Sequence, residues 1–367
     1  MESVLNNPRE PEIGKKPPVI RIGVLDWMKA NLFNGWFNSL LTVFTLYLLW
    51  KVVPFLIRWA FIDSIWTAGS NICQQGDGAC WSVITHNFRF IIFGFYPYAE
   101  HWRPFIAMLL LVGLIFYSRE RRHWKKPLLY LWIAGLVGMG ILMRGGIFGL
   151  SAVETTKWGG LPLTLLLSVF GLTAAYPLGV ILALGRQSSM SGVRRLCVVY
   201  IELIRGVPLI SLLFMSSIIF PLFLPEGVTI NKILRAQVAI ILFTSAYIAE
   251  VVRGGLQGMN KGQYEAADSL GLNYYQTMRL VILPQALKIV IPPTVSILIS
   301  AFKDTSLVVI IALFDVLKTS QTVLSDPKWM GFSPEIYIFV SIFYFLGCFS
   351  MAGYSRKLER ELDTNQQ

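Results

Sequence analysis

The stretch Gln263–Leu287, QYEAADSLGLNYYQTMRLVILPQAL, is the longest segment that reads as helical, interfacial and polar in an otherwise oily chain. Glu265 opens it, and Ala266 and Ala267 put a small, smooth surface on a strong helix former. Gly271 allows a turn or a close approach, and Pro284 is placed to stop the helix before the next apolar run. The expectation is a short two-part helix lying on a membrane face, outside the bilayer core. The rest of the chain supplies the membrane: 54% of 367 residues are hydrophobic, 14% are charged and the mean hydropathy is +0.58. That is too little polar surface to cover a soluble globule. The net charge of +11 does not indicate nucleic acid, because the basic residues punctuate the gaps between apolar runs instead of gathering on one water-facing surface.

A span needs about 20 apolar residues to cross about 30 Å of hydrocarbon. Eight stretches qualify: Trp36–Ile57, Phe105–Tyr117 with its flanks, Leu128–Met143, Leu161–Leu184, Val207–Leu224, Ala236–Val252, Ile289–Ile311 and Ile336–Met351. The run Phe88–Tyr98 holds Arg89, Gly94 and Pro97, is too short to span, and is assigned to a loop. Residues 1–30 are Pro-rich and charged, with no sustained period, and read as a tail with an interfacial turn at Trp27. No cleavable secretory signal precedes the first span. Lys and Arg split 21 to 9 between alternate gaps. The richer set comprises the N-terminal tail, 119–126, 186–205, 253–288 and the C-terminal tail, and the positive-inside rule makes it cytoplasmic. Both termini and Glu265 then lie inside.

The chain carries no Gly-x-x-x-x-Gly-Lys-Ser/Thr phosphate loop, no nucleophile triad and no His/Cys ligand cluster, so neither catalysis nor a metal is expected of it. Cys73 and Cys80 flank a short loop on the oxidising side. They can stand as two thiols or as a disulfide, which would stabilise by roughly 2 to 3 kcal/mol. Cys197 and Cys348 have no paired spacing, and His86, His101 and His123 are scattered and read as solvated or interfacial.

The spacing Glu265-Ala-Ala, Gly271, Val281, Leu283, Pro284 resembles the EAA loop that permease subunits of ABC importers present to an ATPase, with Val281 where the family usually has Ile. Further phrases resemble the polar amino acid permeases: Tyr200-Ile-Glu202-Leu-Ile-Arg205-Gly206-Val-Pro208-Leu, Ala246-Tyr-Ile-Ala-Glu250-Val-Val-Arg253-Gly254-Gly255, Ile291-Pro292-Pro293 and Lys303-Asp304-Thr305-Ser306-Leu307. The long N-terminal addition resembles one subunit type of the general L-amino acid (Aap) importers. The resemblance covers roughly residues 156–355.

It implies an all-α integral membrane protein of about eight transmembrane helices with a five-helix ABC importer permease core at the C-terminal side. The organisation expected is a cytoplasmic tail at 1–30, three additional helices with a periplasmic loop at 31–155, the permease domain at 156–355 with its coupling loop at 261–284, and a cytoplasmic tail at 356–367. Glu265, Ala266, Ala267, Gly271, Leu283 and Pro284 would meet the ATPase. Implied partners are a homologous second permease, two ATPase subunits that bind the ATP and Mg this chain does not, a periplasmic amino acid binding protein, the L-amino acid and membrane lipid. The expected location is the bacterial inner membrane. The rival classes are an ion-coupled secondary transporter, which calls for repeated halves and broken helices near the midplane, and a non-transporting scaffold.

Charges inside spans are expensive unless paired or wetted. Glu250 is placed deep enough to line a pathway. Lys303 and Asp304 point about 100° apart on a helix and cannot easily neutralise each other. Lys303 and Asp304 would receive a substrate's α-carboxylate and α-ammonium, with Thr305 and Ser306 as hydroxyl partners, or Lys303 would pair structurally with Glu250 or a carboxylate of the second permease. Both readings stand at this point.

Overall fold

The structure is a computed structural model that describes residues 23–147 and 149–363, and the described chain divides into two compact units, one ending at Ser64 and the other beginning at Ile65. In the first, α1 (Val24–Asn31) is followed by α2 (Trp36–Ile57), and Thr42 Oγ1 donates to Leu32 O at 2.9 Å across the turn between them. A helix therefore stands where a tail with one turn was expected. Its eight residues are too few for a period to show, but Asp26 in its first turn and Lys29 in its last suit the helix dipole. Residues 1–22 lie outside the described chain. No residue of α2 is buried, and its apolar side chains cover every face, the pattern of a helix solvated by lipid. Pro54 removes a backbone donor near its end, and the chain loosens into a π turn at Arg58–Ile62.

The second unit opens with α3 (Ser70–Cys73), whose last residue is joined to Cys80 in a disulfide, Cα to Cα 5.6 Å. Next comes α4 (Ser82–Phe93), a helix where the sequence suggested a loop. Its twelve residues measure about 18 Å, too short to span, but Val83, Ile84, Ile91 and Phe93 are buried. It ends at Gly94, which adopts a left-handed φ of 60°. Helices α5 (Trp102–Ser118) and α6 (Lys126–Arg144) form an antiparallel pair. Ala107, Met108, Leu111, Met139 and Met143 join one core with Leu163, Leu166 and Leu167 of α7 (Gly160–Arg186), so this pair is built into the same unit as the later helices.

Helix α8 (Ser191–Gly206) and α9 (Leu209–Phe214, continued by irregular helical turns to Phe223) meet at a bend of 104°. The span expected to begin at Val207 is therefore half of a broken element. Pro208 is the reason: it forces the preceding residue out of the α region, and Val207 is extended at φ −109°, ψ 132°. Helix α10 (Lys232–Gln257) starts at Asn231, whose side chain accepts the Ile233 N–H, and lies along α7. A Cβ at Gly179 of α7 would come within 2.6 Å of Ile248 Cγ2, which shows how closely the two backbones approach.

Beyond α10 come α11 (Lys261–Ser269), α12 (Tyr274–Gln276), a π segment Thr277–Ile282, α13 (Leu283–Ile289) and α14 (Ile291–Asp304), which continues as tighter turns to Ile311. A two-residue strand β1 (Phe314–Asp315) runs beside Gly159 and Gly160, leading into α15 (Val316–Val323) and finally α16 (Ser333–Asp363). Of the tail expected at 356–367, residues 356–363 are the last turns of α16 and 364–367 lie outside the described chain. The Lys, Glu and Arg of these turns are strong helix formers, and Lys357 pairs with Glu361 one turn on at 3.7 Å. Among the described residues seven helices are long and apolar enough to cross a membrane, and the bent α8–α9 pair makes an eighth crossing if counted as one. Each of the eight expected spans overlaps one of them.

Candidate functional site

Helix α11 and the segment after it form a hinged surface module. Asn260 caps α11 by accepting the Gly262 N–H at 2.9 Å. At its other end the Gly271 N–H reaches Asp268 O and the Leu272 N–H reaches Ala267 O, at 2.8 and 3.1 Å. This is a Schellman stop, which needs a left-handed residue after the cap; Gly271 supplies it at φ 70°, and a Cβ there would meet nothing within 4 Å. Backbone conformation, not close approach, is what this glycine serves. Two residues on, Asn273 and Gln276 form a reciprocal capping box that starts α12. Ala267 is buried, while Glu265, Ala266 and Asp268 are exposed, with Leu270, Tyr274 and Tyr275 beside them at 66 to 78% exposure. Pro284 does not stop a helix. It sits in the first turn of α13, directly after the π segment Thr277–Ile282, with helical backbone continuing through it, and the break falls later, between Ile289 and Ile291. Leu283 is half-buried beside it, and Gln285 Nε2 donates to Gln263 Oε1 at 2.9 Å, tying α13 back to α11.

At the ends of α7, α8 and α10, Glu250 gathers three arginines. Arg253, one turn on, donates Nε to both carboxylate oxygens at 3.1 and 3.0 Å and its Nη2 to Oε1. Arg186 Nη1 of α7 lies 3.3 Å from Glu250 Oε2 and 3.0 Å from Glu202 Oε1 of α8. Arg205 Nη1 stands 3.7 Å from Glu250, with its guanidinium 5.5 Å from the centre of the Tyr247 ring. One carboxylate thus joins three helices. The pairing of Glu250 with Lys303 considered from sequence is not formed, because this carboxylate is occupied on its own helix.

Lys303 is exposed at the end of α14 and makes no ion pair among the described residues, while its neighbour Asp304 is half-buried. Thr305 is buried and donates to Phe302 O at 2.8 Å; Ser306 Oγ donates to Lys303 O at 2.8 Å. Both hydroxyl protons are thereby spent on the helix end, leaving only oxygen lone pairs to offer. Among the described residues no hydrogen bond or ion pair joins Lys303, Asp304, Thr305 or Ser306 to Glu250.

Residues 175–364 match the family of binding-protein-dependent transport system inner membrane components. The chain belongs to this family. It is 47% identical over 355 residues to the inner membrane amino-acid ABC transporter permease protein YhdY of Escherichia coli K12, covering 93% of each chain. It is 39% identical to the glutamate/glutamine/aspartate/asparagine transport system permease protein BztC of Rhodobacter capsulatus, over 94% of this chain and 95% of that one. The probable glutamine permease GlnP of Bacillus subtilis is 32% identical over 55% of this chain and 91% of its own. Among solved structures, the crystal structure of an amino acid ABC transporter with histidines aligns with a TM-score of 0.50 at 30% identity, over 55% of this chain and 92% of that one.

Two buried polar centres of this permease were not singled out from its sequence. Asp315 is fully buried; it caps α15 by accepting the Leu317 and Lys318 N–H groups at 3.2 and 2.9 Å and accepts the Tyr344 hydroxyl at 3.2 Å. Burial pushes its carboxyl up to about 6 against the pull of these bonds. An Asp just before a helical run is a capping signal that was available. Arg103, also fully buried, donates Nε to Leu142 O at 2.7 Å and Nη1 to Ser151 O at 2.9 Å and lies 3.5 Å from Glu100, fastening the α5–α6 pair at one end. His101 is buried too, bonded to Tyr96 O at 2.9 Å, and is not the solvated or interfacial residue expected.

Proposed function

We propose that this chain is the permease subunit of an importer that moves L-amino acids across the bacterial inner membrane by ATP-driven alternating access. The observation that carries the reading is the α11–Gly271–α12 module: two helices capped at both sides of one glycine, with Glu265, Ala266, Leu270, Tyr274 and Tyr275 facing out. Such a surface suits a partner protein, because aromatic and apolar residues exposed together are what interfaces bury. The engine is a pair of separate ATPase subunits holding ATP and Mg, docked on Glu265, Ala266, Gly271, Leu283 and Pro284, with Ala267, buried beneath α11, seating that surface on the permease instead of touching the ATPase. A second, homologous permease completes the pore, and a periplasmic binding protein delivers the substrate.

The permease core is residues 156–355, and the helices of 31–155 are an addition. Relatives that match about half of this chain but nine-tenths of their own length support that division. The charge split puts both termini, Lys125 and Glu265 in the cytoplasm and Asp77, with the disulfide loop, in the periplasm. Substrate passes Glu250 and the Lys303, Asp304, Thr305, Ser306 turn. Mild-detergent purification tests the reading: an ATPase should co-purify and its turnover should rise with an amino-acid-loaded binding protein. A chain that purifies without an ATPase, or takes up amino acids on an ion gradient alone, refutes it.

A further inference from the structure

A groove of about 620 Å³ opens between α7, α13, α14 and α16 beside the α5–α6 turn. Its walls are apolar, and its polar lining is confined to a few groups, Tyr176, Lys288, Thr294 and Tyr354 among them, with Leu298 on the wall and Trp124 at the rim. The size is that of a ligand site. Two observations say what it holds. Thr294 is 5% exposed, and its Oγ1 has no hydrogen-bond partner among the described residues, so a buried hydroxyl waits for an acceptor. The rim is basic: Lys288 is exposed with no ion pair among the described residues, Arg119 lies over Tyr354 at 5.7 Å, and Arg122, Lys125 and Lys126 stand on the turn that carries Trp124.

We propose that this groove binds one molecule of an anionic phospholipid. Trp with Lys and Arg marks the level of the headgroups. Lys288 and Thr294 are six residues apart, at most about 9 Å along helical backbone, and the interfacial layer on each side of the hydrocarbon is roughly 5 to 7 Å thick. Lys288 at the phosphate therefore puts Thr294 at or just below the ester carbonyls, which only accept hydrogen bonds, and its hydroxyl has one to give. The acyl chain lies along Tyr176 and Leu298. A peptide segment fits less well, because its N–H groups would meet few acceptors on these walls.

The inference does not depend on the substrate or on the ATPase. Its test is labelling of the full-length chain in nanodiscs of phosphatidylethanolamine and phosphatidylglycerol, each in turn carrying a photoactivatable acyl chain, with cross-links mapped by mass spectrometry. Labelling should fall on the peptides that hold Tyr176 and Leu298. Lys288→Glu reverses an exposed charge and should lower labelling by phosphatidylglycerol roughly fivefold or more without lowering labelling by phosphatidylethanolamine, which competes for the same groove. Thr294→Val keeps the shape and should lower labelling by both lipids by roughly fivefold, the worth of one hydrogen bond. Labels scattered over the outer helix faces, equal labelling in both variants, or cross-links from the groove to another protein chain would each overturn the proposal.

Discussion

Gly271→Val isolates the coupling module from the rest of the fold. The residue sits at φ 70° with nothing within 4 Å of a would-be Cβ. A Cβ therefore creates no clash, and the main cost of the substitution is conformational. Left-handed backbone costs a residue with a side chain about 1 to 2 kcal/mol, with a β-branched one at the upper end. If the cost is relieved by swinging α11 away from α12, the population with both helices in their native relation drops roughly 5- to 30-fold. Gly271→Asn is the control, since Asn tolerates the left-handed region. Uptake into proteoliposomes, measured beside ATPase turnover, should fall in the Val variant and stay near the parent in the Asn variant. Membrane insertion should be normal in both. Equal uptake by the Val variant and the parent would show that the geometry of this turn is not used in coupling.

Asp315 gives a pH signature. Its carboxyl is raised from 3.8 to about 6 in the folded chain, so between those values the folded state holds more protons and stability rises as pH falls, by up to roughly 3 kcal/mol. Thermal unfolding from pH 7 to pH 4 should show the rise, and Asp315→Asn, which keeps a capping oxygen, should remove it. Glu250→Gln leaves Arg186, Arg205 and Arg253 without their shared carboxylate; the melting temperature should drop, and adding Arg186→Leu should restore part of the loss, whereas a further drop would argue against mutual repulsion. Gly179→Leu should be destabilising by about 1 to 3 kcal/mol through overpacking against Ile248, read as a lowered melting temperature, and Gly179→Ala by less. Joint replacement of Cys73 and Cys80 by Ser should lower the melting temperature by removing a cross-link worth roughly 2 to 3 kcal/mol, and no change would mean the loop is held by its hydrogen bonds, Cys80 N–H to Glu335 and Ile65 N–H to Ala79 O among them.

What the sequence showed and hid divides along physical lines. The spans were legible because lipid imposes long apolar runs, a signal carried by many residues at once. The α11 turn was legible because a glycine between two polar helical stretches has few other uses. Pro284 misled because proline both stops helices and starts them; which it does depends on the preceding π segment, and nothing local announces that segment. The bend at Pro208 was hidden for the opposite reason, since apolar residues continue on both sides and hydropathy is blind to direction. Arg103 and Asp315 were counted or passed over as ordinary charges because burial is a property of the packed helices. No run of neighbours distinguishes an arginine fully enclosed by backbone carbonyls from one in water.

On the proposed function, the same helices would make the α11 module and the charge cluster one device. Only Gly258, Met259 and Asn260 separate the end of α10 at Gln257 from the start of α11 at Lys261. Helix α10 carries Glu250 two turns before its end, and Glu250 holds Arg186 of α7 and Arg205 of α8. A displacement of α11 has little slack in which to dissipate before it reaches α10. From there it passes to α7 through the tight contact at Gly179 and Ile248, and to α8 through the arginines. The α8–α9 bend lies beyond, at Val207 and Pro208, two residues from Arg205. If an ATPase pulls on the surface helix as proposed, the pull would arrive at the α8–α9 bend, where the chain is already broken and can change angle without unmaking a helix.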